Sequence, residues 1–426
     1  MGIEIAGSFP RYTEHDPEVP VWCVTPGEGR AIHRFFDTSP FSPSGRYLAA
    51  FRLPQEQRLP APGDVGHVVL VDLAAGDERV VAETRGWETQ MGANLNWGAD
   101  DRQLFFNDVD TSSWTPHAVC LDPLSGRSRR LDGCVYHAAP GGTALAATSM
   151  VRNRRTQVGY GVVVPDDRVP RNPGLADDDG LYVTDTATGE ARLLLSIADC
   201  VRRCEPASAF RDAADEGLEV YGFHCKWNPR GDRLLWTLRA FPSADGRDFD
   251  VMRTRTLRFE VYTLDTAARD VRLAVGVDEW AKGGHHINWL PDGRGLSMNL
   301  NIRGDGLKFV TCGADGSDLR PILERPPGSG HPTVHPDGRH ILTDAYCFEP
   351  VAFGDGTIPI RWVDRRDGSE RRLVRIRTQT PAQRECAGLR VDPHPAWDAS
   401  GRWIAFNGFT DGTRRVYVAD LSDLVG

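Results

Sequence analysis

The chain has 426 residues, a net charge of −9 with acidic and basic residues interspersed, and a hydrophobic fraction of 40% that can bury a large interior. No basic stripe indicates nucleic-acid binding, and the nine cysteines are too irregularly spaced for a disulfide framework. The stretch MGIEIAGSFPRYTEHD has no basic n-region and no apolar h-region, so we expect no leader peptide, and no apolar run is long enough to span a membrane. We therefore expect a cytoplasmic protein.

One short pattern recurs along the whole chain: an aromatic and a polar residue, a turn rich in Pro, Asp and Gly, and then an apolar strand. Each copy predicts a β-hairpin, because a turn sequence separates two strands. The seven copies are PFSPSGRYLAAF (40–51), LNWGADDRQLFF (95–106), HAAPGGTALAAT (137–148), KWNPRGDRLLWT (226–237), NWLPDGRGLSMN (288–299), TVHPDGRHILTD (333–344) and AWDASGRWIAFN (396–407).

A second hairpin follows most copies, as in VVLVDLAAGDERVV, LYVTDTATGEARLL and IRWVDRRDGSERRL. Four strands per repeat, at a period of roughly 40–60 residues, predict an all-β, seven-bladed β-propeller. The last repeat has only three strands, so we expect the N-terminal VPVWCVT to supply the fourth and close the ring. The chain is then a single domain, 1–426, with insertions at about 151–179 and 240–256. A helical segment is predicted near 206–218.

Histidines recur at one position of this repeat, five residues before the turn, where the innermost strand begins. Since innermost strands surround the channel of a propeller, we expect these side chains to meet at one channel mouth. A lone histidine there more often caps a strand, but four in register favour a divalent cation such as Zn or Mn, or a general base. Cys225 and Asp392 are candidate further ligands, and His285 is the expected outward neighbour. In chain order the position holds Thr38, Asn94, Val135, His224, His286, His331 and His394.

Several of these stretches resemble known polysaccharide lyases. GHHINWLPDG, GHPTVHPDGRHILTDAY and VDPHPAWDASGRWIAFNG are similar to blades of oligogalacturonate lyases. WETQMGANLNWGADDRQLFFND and SMVRNRRTQVGYG resemble the second and third blades of ulvan-lyase-type propellers. The resemblance covers most of the chain and implies β-elimination at a uronic acid of a short acidic oligosaccharide. That reaction needs a cation at the carboxylate, a base for the C5 proton and an acid for the leaving oxygen.

The resemblance also implies roles for individual residues. By blade order His286 matches the base, and Tyr160 of the Gly-Tyr-Gly stretch matches the acid. The candidate arginines for the carboxylate are Arg239 and Arg258. The second blade lacks the ulvan-type histidine and carries amide side chains, which suit sugar hydroxyls. The predicted Mn or Zn ligands are His224, His331 and His394, and the predicted substrate-binding amides are Gln90, Asn94 and Asn96.

Other functions remain open from the sequence. Propellers commonly serve as non-catalytic platforms, so a sugar-binding or protein-interaction module is the main alternative. Another metal-dependent sugar enzyme is a third hypothesis. A hydrolase gated by the propeller is least favoured, because no GxSxG elbow is present. We expect a monomer or small homo-oligomer that binds an acidic oligosaccharide and neither nucleic acid nor membrane.

Overall fold

The computed structural model describes residues 2–243 and 256–425, and their strands form seven four-stranded antiparallel sheets. Each sheet is one blade of a seven-bladed β-propeller, which confirms the predicted fold. Six of the seven repeats contain residues of both inner strands of a blade, with the turn between them. The first repeat (40–51) contains only β3, because the innermost strand of blade 1 lies earlier, at Ala31–Ile32. The fold follows from these local hairpins, because each turn fixes the register of the strands that it joins.

The strands run outward from the channel within each blade. Blade 1 contains β2 (Ala31–Ile32), β3 (Tyr47–Arg52), β4 (Gly66–Asp72) and β5 (Asp77–Thr84). Blade 2 contains β6 (Asn96–Trp97), β7 (Leu104–Asp110), β8 (Thr115–Leu121) and β9 (Ser128–Leu131). Blade 3 contains β10 (His137–Ala138), β11 (Ala144–Ala147), β12 (Gly180–Asp185) and β13 (Ala191–Ser196). Blade 4 contains β14 (Leu218–Trp227), β15 (Arg233–Pro242), β16 (Arg258–Asp265) and β17 (Val271–Val275).

The remaining blades continue in the same order. Blade 5 contains β18 (Gly284–Trp289), β19 (Gly295–Leu300), β20 (Lys308–Gly313) and β21 (Arg320–Pro321). Blade 6 contains β22 (Thr333–Val334), β23 (His340–Thr343), β24 (Thr357–Asp364) and β25 (Glu370–Arg377). Blade 7 contains β26 (Ala396–Trp397), β27 (Trp403–Thr410), β28 (Thr413–Asp420) and, as its outer strand, β1 (Val21–Cys23).

The outer strand of blade 7 comes from the N-terminus, as the sequence predicts. Val21, Trp22 and Cys23 lie opposite Ala419, Val418 and Tyr417 in an antiparallel ladder. The ladder continues on both sides, since the Val24 amide donates to Val416 and the Asp420 amide donates to Pro20. Two ends of the chain thus share one sheet, and the edge of β28 is covered.

The helical prediction near 206–218 is wrong. The helix α1 spans Ile197–Arg203 instead, where the Ser196 side chain caps it by accepting the Asp199 amide. Residues 209–217 form turns that lead into β14. The buried Glu260 carboxylate accepts bonds from the Ser208 hydroxyl and the Ala209 amide, at 2.5 and 2.9 Å, and this long-range anchor replaces a helical ladder.

Few other helical elements are present among the described residues. The short helix α2 spans Val277–Trp280. The insertion 151–179 contains 3₁₀ turns, whereas most of the second predicted insertion, 244–255, lies outside the described residues. None of the described helices is long and apolar enough to cross a membrane. The 3₁₀ turns are Pro140–Gly142, Arg152–Arg155, Asp166–Arg168, Ala382–Arg384 and Ala387–Leu389.

Ring closure by β1 can be tested with one backbone hydrogen bond. Hydrogen-bonded pairs alternate along an antiparallel ladder, so the Trp22 amide faces the Val418 carbonyl. Trp22→Pro removes that donor, and we expect it to lower the free energy of unfolding by about 2 kcal/mol more than Trp22→Ala does. Urea unfolding measures both variants. Equal midpoints for the two would contradict a stabilising closure.

Candidate functional site

Four histidines surround one phenylalanine ring in the channel. The centroid of Phe35 lies 5.6 Å from His224, 6.3 Å from His286, 5.7 Å from His331 and 4.5 Å from His394. Phe35 belongs to the segment between β2 and β3 and was not singled out by the sequence. The histidine register therefore corresponds to a real cluster, with an apolar ring at its centre.

The backbone at this register position is unusual in three of the blades. Asn94, His286 and His394 have φ values of 57°, 60° and 51°, in the left-handed region that few residues other than glycine adopt. Such strain persists only where the surrounding structure holds it, and it clusters at functional sites. The repeated geometry turns these side chains away from the ordinary strand direction.

His331, Asp392 and His394 form a group that fits a metal ion. Their ligand atoms lie within 4.8 Å of one another, and all three residues are buried. His331 Nε2 and both ring nitrogens of His394 have no hydrogen-bond partner among the described residues. Buried polar atoms are seldom left without a partner. Two imidazoles and a carboxylate oxygen are suitable ligands for Zn or Mn.

A second carboxylate holds this group in place. Asp344 lies 2.9 Å from His331 Nδ1 through one oxygen, and its other oxygen accepts the His394 amide at 3.1 Å. The His331 Nδ1–H therefore donates to Asp344, which leaves the Nε2 lone pair available for a cation. Carboxylate–histidine pairs of this kind orient metal ligands and raise their basicity.

The predicted third ligand, His224, lies outside this group. Its Nδ1 contacts the Tyr136 hydroxyl, and its ring packs 3.8 Å from that of Phe223. Phe35 stacks on His224 and separates it from His394. Cys225 is also buried away from the metal group, and burial raises the pKa of its thiol. Among the candidates flagged in the sequence, the structure brings together His331, His394 and Asp392.

His286 is held as a neutral imidazole whose two ring nitrogens both have hydrogen-bond partners. Its Nδ1 lies 2.6 Å from the Gly330 carbonyl, and its Nε2 lies 3.2 Å from the Tyr346 hydroxyl. Because a carbonyl only accepts, Nδ1 carries the proton and Nε2 accepts from Tyr346. Burial holds the pKa of His286 well below its usual value, so the ring is uncharged at neutral pH. Its ring also stacks on His331 at 3.8 Å.

Tyr160 lies in a tight turn of the insertion that only glycines permit. Gly159 and Gly161 have φ values of 89° and 80°, and a Cβ on Gly161 would approach the Arg154 nitrogen to 2.6 Å. The Tyr160 hydroxyl accepts a bond from Arg390 at 3.3 Å. Burial raises the pKa of Tyr160 to about 12, so its hydroxyl keeps its proton at neutral pH.

The two candidate arginines differ in environment. Arg239 is 6% exposed, lies 3.3 Å from the Phe223 ring centroid and donates to Gln157 at 2.9 Å. It has no acidic partner among the described residues, and burial lowers its pKa to about 9. Arg258 instead pairs with Glu216 at 2.7 Å with its side chain 45% exposed. Arg258 lies opposite Ala240 in the ladder, so it points to the other face of the sheet from Arg239.

Two of the three predicted substrate-binding amides, Gln90 and Asn96, are hydrogen-bonded within the protein itself. The Gln90 side chain donates to the Gly388 carbonyl at 2.9 Å, and Asn96 donates to the Asn94 carbonyl at 2.9 Å. Both are buried, as is Asn94, whose side-chain atoms have no partner in the part of the chain that is described. The structure places Gln90 and Asn96 as supports of the channel wall.

Two small cavities meet at Tyr160. One has a volume of about 150 Å³ and is lined by Tyr160, His286 and Arg239, together with Tyr346 and Arg390. The other, of about 190 Å³, shares Tyr160 and Gln157 with the first and extends beneath the insertion. A cavity of roughly 150 Å³ can hold one six-membered ring. The arrangement is a cleft with two compartments.

Tyr346 and Arg390 line the smaller cavity but were not predicted as site residues from the sequence. Tyr346 closely follows β23, and Arg390 lies two residues before Asp392, with which it pairs at 2.7 Å. The only signal in the sequence was their nearness to flagged residues, in TDAYCF and LRVDPHP. Their places in the cavity depend on loops that carry no repeat pattern.

Comparison with solved structures identifies propellers of the same architecture. An oligogalacturonate lyase in complex with manganese aligns over 99% of this chain and 98% of its own, with a TM-score of 0.62 and 16% identity. An oligogalacturonate lyase from Vibrio parahaemolyticus aligns over 100% and 99%, with a TM-score of 0.63 and 14% identity. The chain has the oligogalacturonate lyase fold. This confirms the resemblance at the level of the fold.

A more distant structural match is the propeller domain of a protease. The β-propeller domain of the trilobed protease from Pyrococcus furiosus aligns over 91% of this chain and 96% of its own, with a TM-score of 0.50 and 10% identity. No protein-family model matches the chain, and neither does any curated protein. At these identities the comparisons establish architecture, so the chemistry must be argued from the site.

The metal group makes a direct prediction. We expect the protein to bind about one Mn²⁺ or Zn²⁺ ion per chain, because the three ligands form one compact site. His394→Ala should abolish tight binding, and Asp344→Asn should weaken it by about 10- to 100-fold, since it only orients a ligand. Titration calorimetry measures the affinities.

The matched control is His67→Ala, which removes a partly exposed histidine of β4. It should bind the ion as the unaltered protein does. An unchanged affinity in His394→Ala would contradict the assignment of the site.

Proposed function

We propose that the protein is a lyase that cleaves short oligosaccharides containing uronic acid by metal-assisted β-elimination at this channel mouth. The observation that carries the proposal is the buried guanidinium of Arg239, which has no acidic partner in residues 2–243 and 256–425 and shares one cavity with His286 and Tyr160. A buried cation of this kind is complementary to a carboxylate. The similar oligogalacturonate lyase that is in complex with manganese supports a Mn site, although Zn suits the same ligands.

His286, Tyr160 and Arg239 can supply the parts that the elimination needs. Nε2 of His286 removes the C5 proton, the C–H electron pair forms the C4=C5 double bond, and the C4–O bond breaks. The Tyr160 hydroxyl then donates its proton to the leaving oxygen. Arg239 binds the carboxylate and stabilises the negative charge that grows as C5 loses its proton. A divalent cation held by His331, Asp392 and His394 would add positive charge on the same side.

Burial sets the resting protonation state that each of these roles requires. Neutral His286 can accept a proton, because its Nε2 lone pair is satisfied only by the Tyr346 hydroxyl. Protonated Tyr160 can donate, since Arg390 contacts its oxygen without taking its proton. Gln157 fixes the Arg239 guanidinium, and the Phe223 ring lies beneath it. A substrate carboxylate would replace water at the exposed edge of Arg239 and gain strength from the low local dielectric.

The two arginines provide a matched test. Arg239→Met should lower kcat/KM by about 10- to 100-fold, the value of a charge-assisted bond to the carboxylate, whereas Arg258→Met should leave it nearly unchanged. Activity is measured from the absorbance of the new C=C bond with C4-linked oligouronides. Methionine fills the space over Phe223, and the loss of a buried charge without an acidic partner should not reduce thermal stability. Equal effects of the two substitutions would contradict the role of Arg239.

Removing one hydroxyl tests the proposed acid. Tyr160→Phe should keep the fold and bind substrate but lose about 10²-fold or more in turnover, the usual contribution of a positioned proton donor. Tyr182→Phe is the control, because Tyr182 lies on β12 and donates to the Asp178 carbonyl outside the cavity. Wild-type turnover in Tyr160→Phe would show that another group is the acid. Binding of oligouronides without any cleavage would favour a non-catalytic sugar-binding module.

A further inference from the structure

The two compartments at Tyr160 differ in the buried ionisable side chain that each contains, an arginine in one and a glutamate in the other. We call the cavity with Arg239 and His286 the arginine chamber, and the cavity lined by Glu88, Thr89 and Val163 the glutamate chamber. The arginine chamber contains a guanidinium with no acidic partner among the described residues. The glutamate chamber contains a buried carboxyl group, and the described residues place no cation in contact with it.

Glu88 is built into the glutamate chamber. It is 1% exposed; one carboxyl oxygen accepts the Gly161 amide, and the other has no partner among the described residues. Arg154 also lines the chamber, but its guanidinium is bound to Asp166 at 3.0 Å and to the Val164 carbonyl at 2.7 Å. Glu88 is the carboxyl group in the lining of this chamber, and it becomes negative above its raised pKa of about 8.

The rest of the glutamate chamber suits an uncharged sugar. Its walls include the apolar side chains of Leu59, Pro60 and Val158, and its polar groups include Thr89 and Gln157. Apolar walls pack against the C–H faces of a sugar ring, while hydroxyl and amide groups bond to its hydroxyls. A second carboxylate would enter beside Glu88, where the Arg154 guanidinium is already paired with Asp166, and its desolvation would therefore be costly.

We propose that the cleft binds a disaccharide unit whose two sugars differ in charge, a uronate in the arginine chamber and a neutral sugar in the glutamate chamber. This rests on the proposed function, because Tyr160, the wall between the chambers, then lies beside the bond that breaks. The neutral sugar leaves with the glycosidic oxygen and the proton of Tyr160, and the uronate keeps its carboxylate and gains the C4=C5 bond. The preferred substrate is then a mixed uronide and not a chain of uronates alone.

The experiment compares two disaccharides that differ only in the leaving sugar. One is a C4-linked diuronide, and the other carries a neutral hexose on O4 of the same uronic acid. Calorimetry measures binding of each, and C=C absorbance measures cleavage, with metal present. The assay is run at about pH 8.5, because burial raises the pKa of Glu88 to about 8 and the carboxyl is then largely ionised. Arg34, Arg154 and Tyr160 are the nearby groups with charge or protons. The two cations attract the second carboxylate of the diuronide, so the comparison with Glu88→Gln is needed to isolate the contribution of Glu88.

We expect the mixed disaccharide to bind at least about tenfold more tightly than the diuronide. Glu88→Gln should remove most of that preference, since the amide oxygen still accepts the Gly161 amide but carries no charge. The control Glu83→Gln, on the exposed edge of β5, should keep the preference for the mixed disaccharide. If Glu88→Gln does not fold, the comparison of the two ligands on the unaltered protein still tests whether the cleft prefers the mixed disaccharide.

The outcomes separate the two proposals. Equal or tighter binding of the diuronide overturns the charge asymmetry, and cleavage of that diuronide would leave the lyase function standing. A preference for the mixed disaccharide that survives in Glu88→Gln assigns the selectivity to other groups and overturns the role of Glu88. A Glu88-dependent preference without any C=C absorbance supports the two chambers and overturns the lyase function.

Discussion

The buried carboxylate of Asp344 is the contact on which the candidate site depends. It accepts the amide and the Nδ1–H of His331 in blade 6 and the amide of His394 in blade 7. Gly330 passes so close that a Cβ there would lie 2.1 Å from the same carboxylate, and its carbonyl accepts the proton of His286 in blade 5. One acid therefore aligns histidines of three blades. Its removal would leave several buried donors without a partner.

Burial decides the protonation states around this centre. Desolvation disfavours charge, so it lowers the pKa of His286 and raises that of Tyr160. The same effect favours anion binding at the guanidinium of Arg239, because its charge has no acidic partner in the described part of the chain. The proposed base, acid and anion site depend on one physical cause, the burial of their side chains.

A separate ionic network lies near the cluster in the channel. Asp37 pairs with Lys226 at 2.9 Å and with Arg34 at 2.6 Å, and all three side chains are almost fully buried. Lys226 also donates to the Ile287 carbonyl, which joins blade 4 to blade 5. The two cations hold the pKa of the Asp37 carboxyl well below its usual range. This network fixes the segment that carries Phe35 and so keeps the ring among the histidines.

The sequence by itself determined the seven blades, the closing strand and the positions of the four histidines, because hairpins are local and a repeated backbone places equivalent residues at equivalent points. Only the tertiary structure decided which of them could act together. Phe35 separates His224 from the metal group, strand alternation turns Arg239 and Arg258 to opposite faces, and unpatterned loops bring in Tyr346 and Arg390. These outcomes depend on contacts between residues far apart in the chain, which no local pattern encodes.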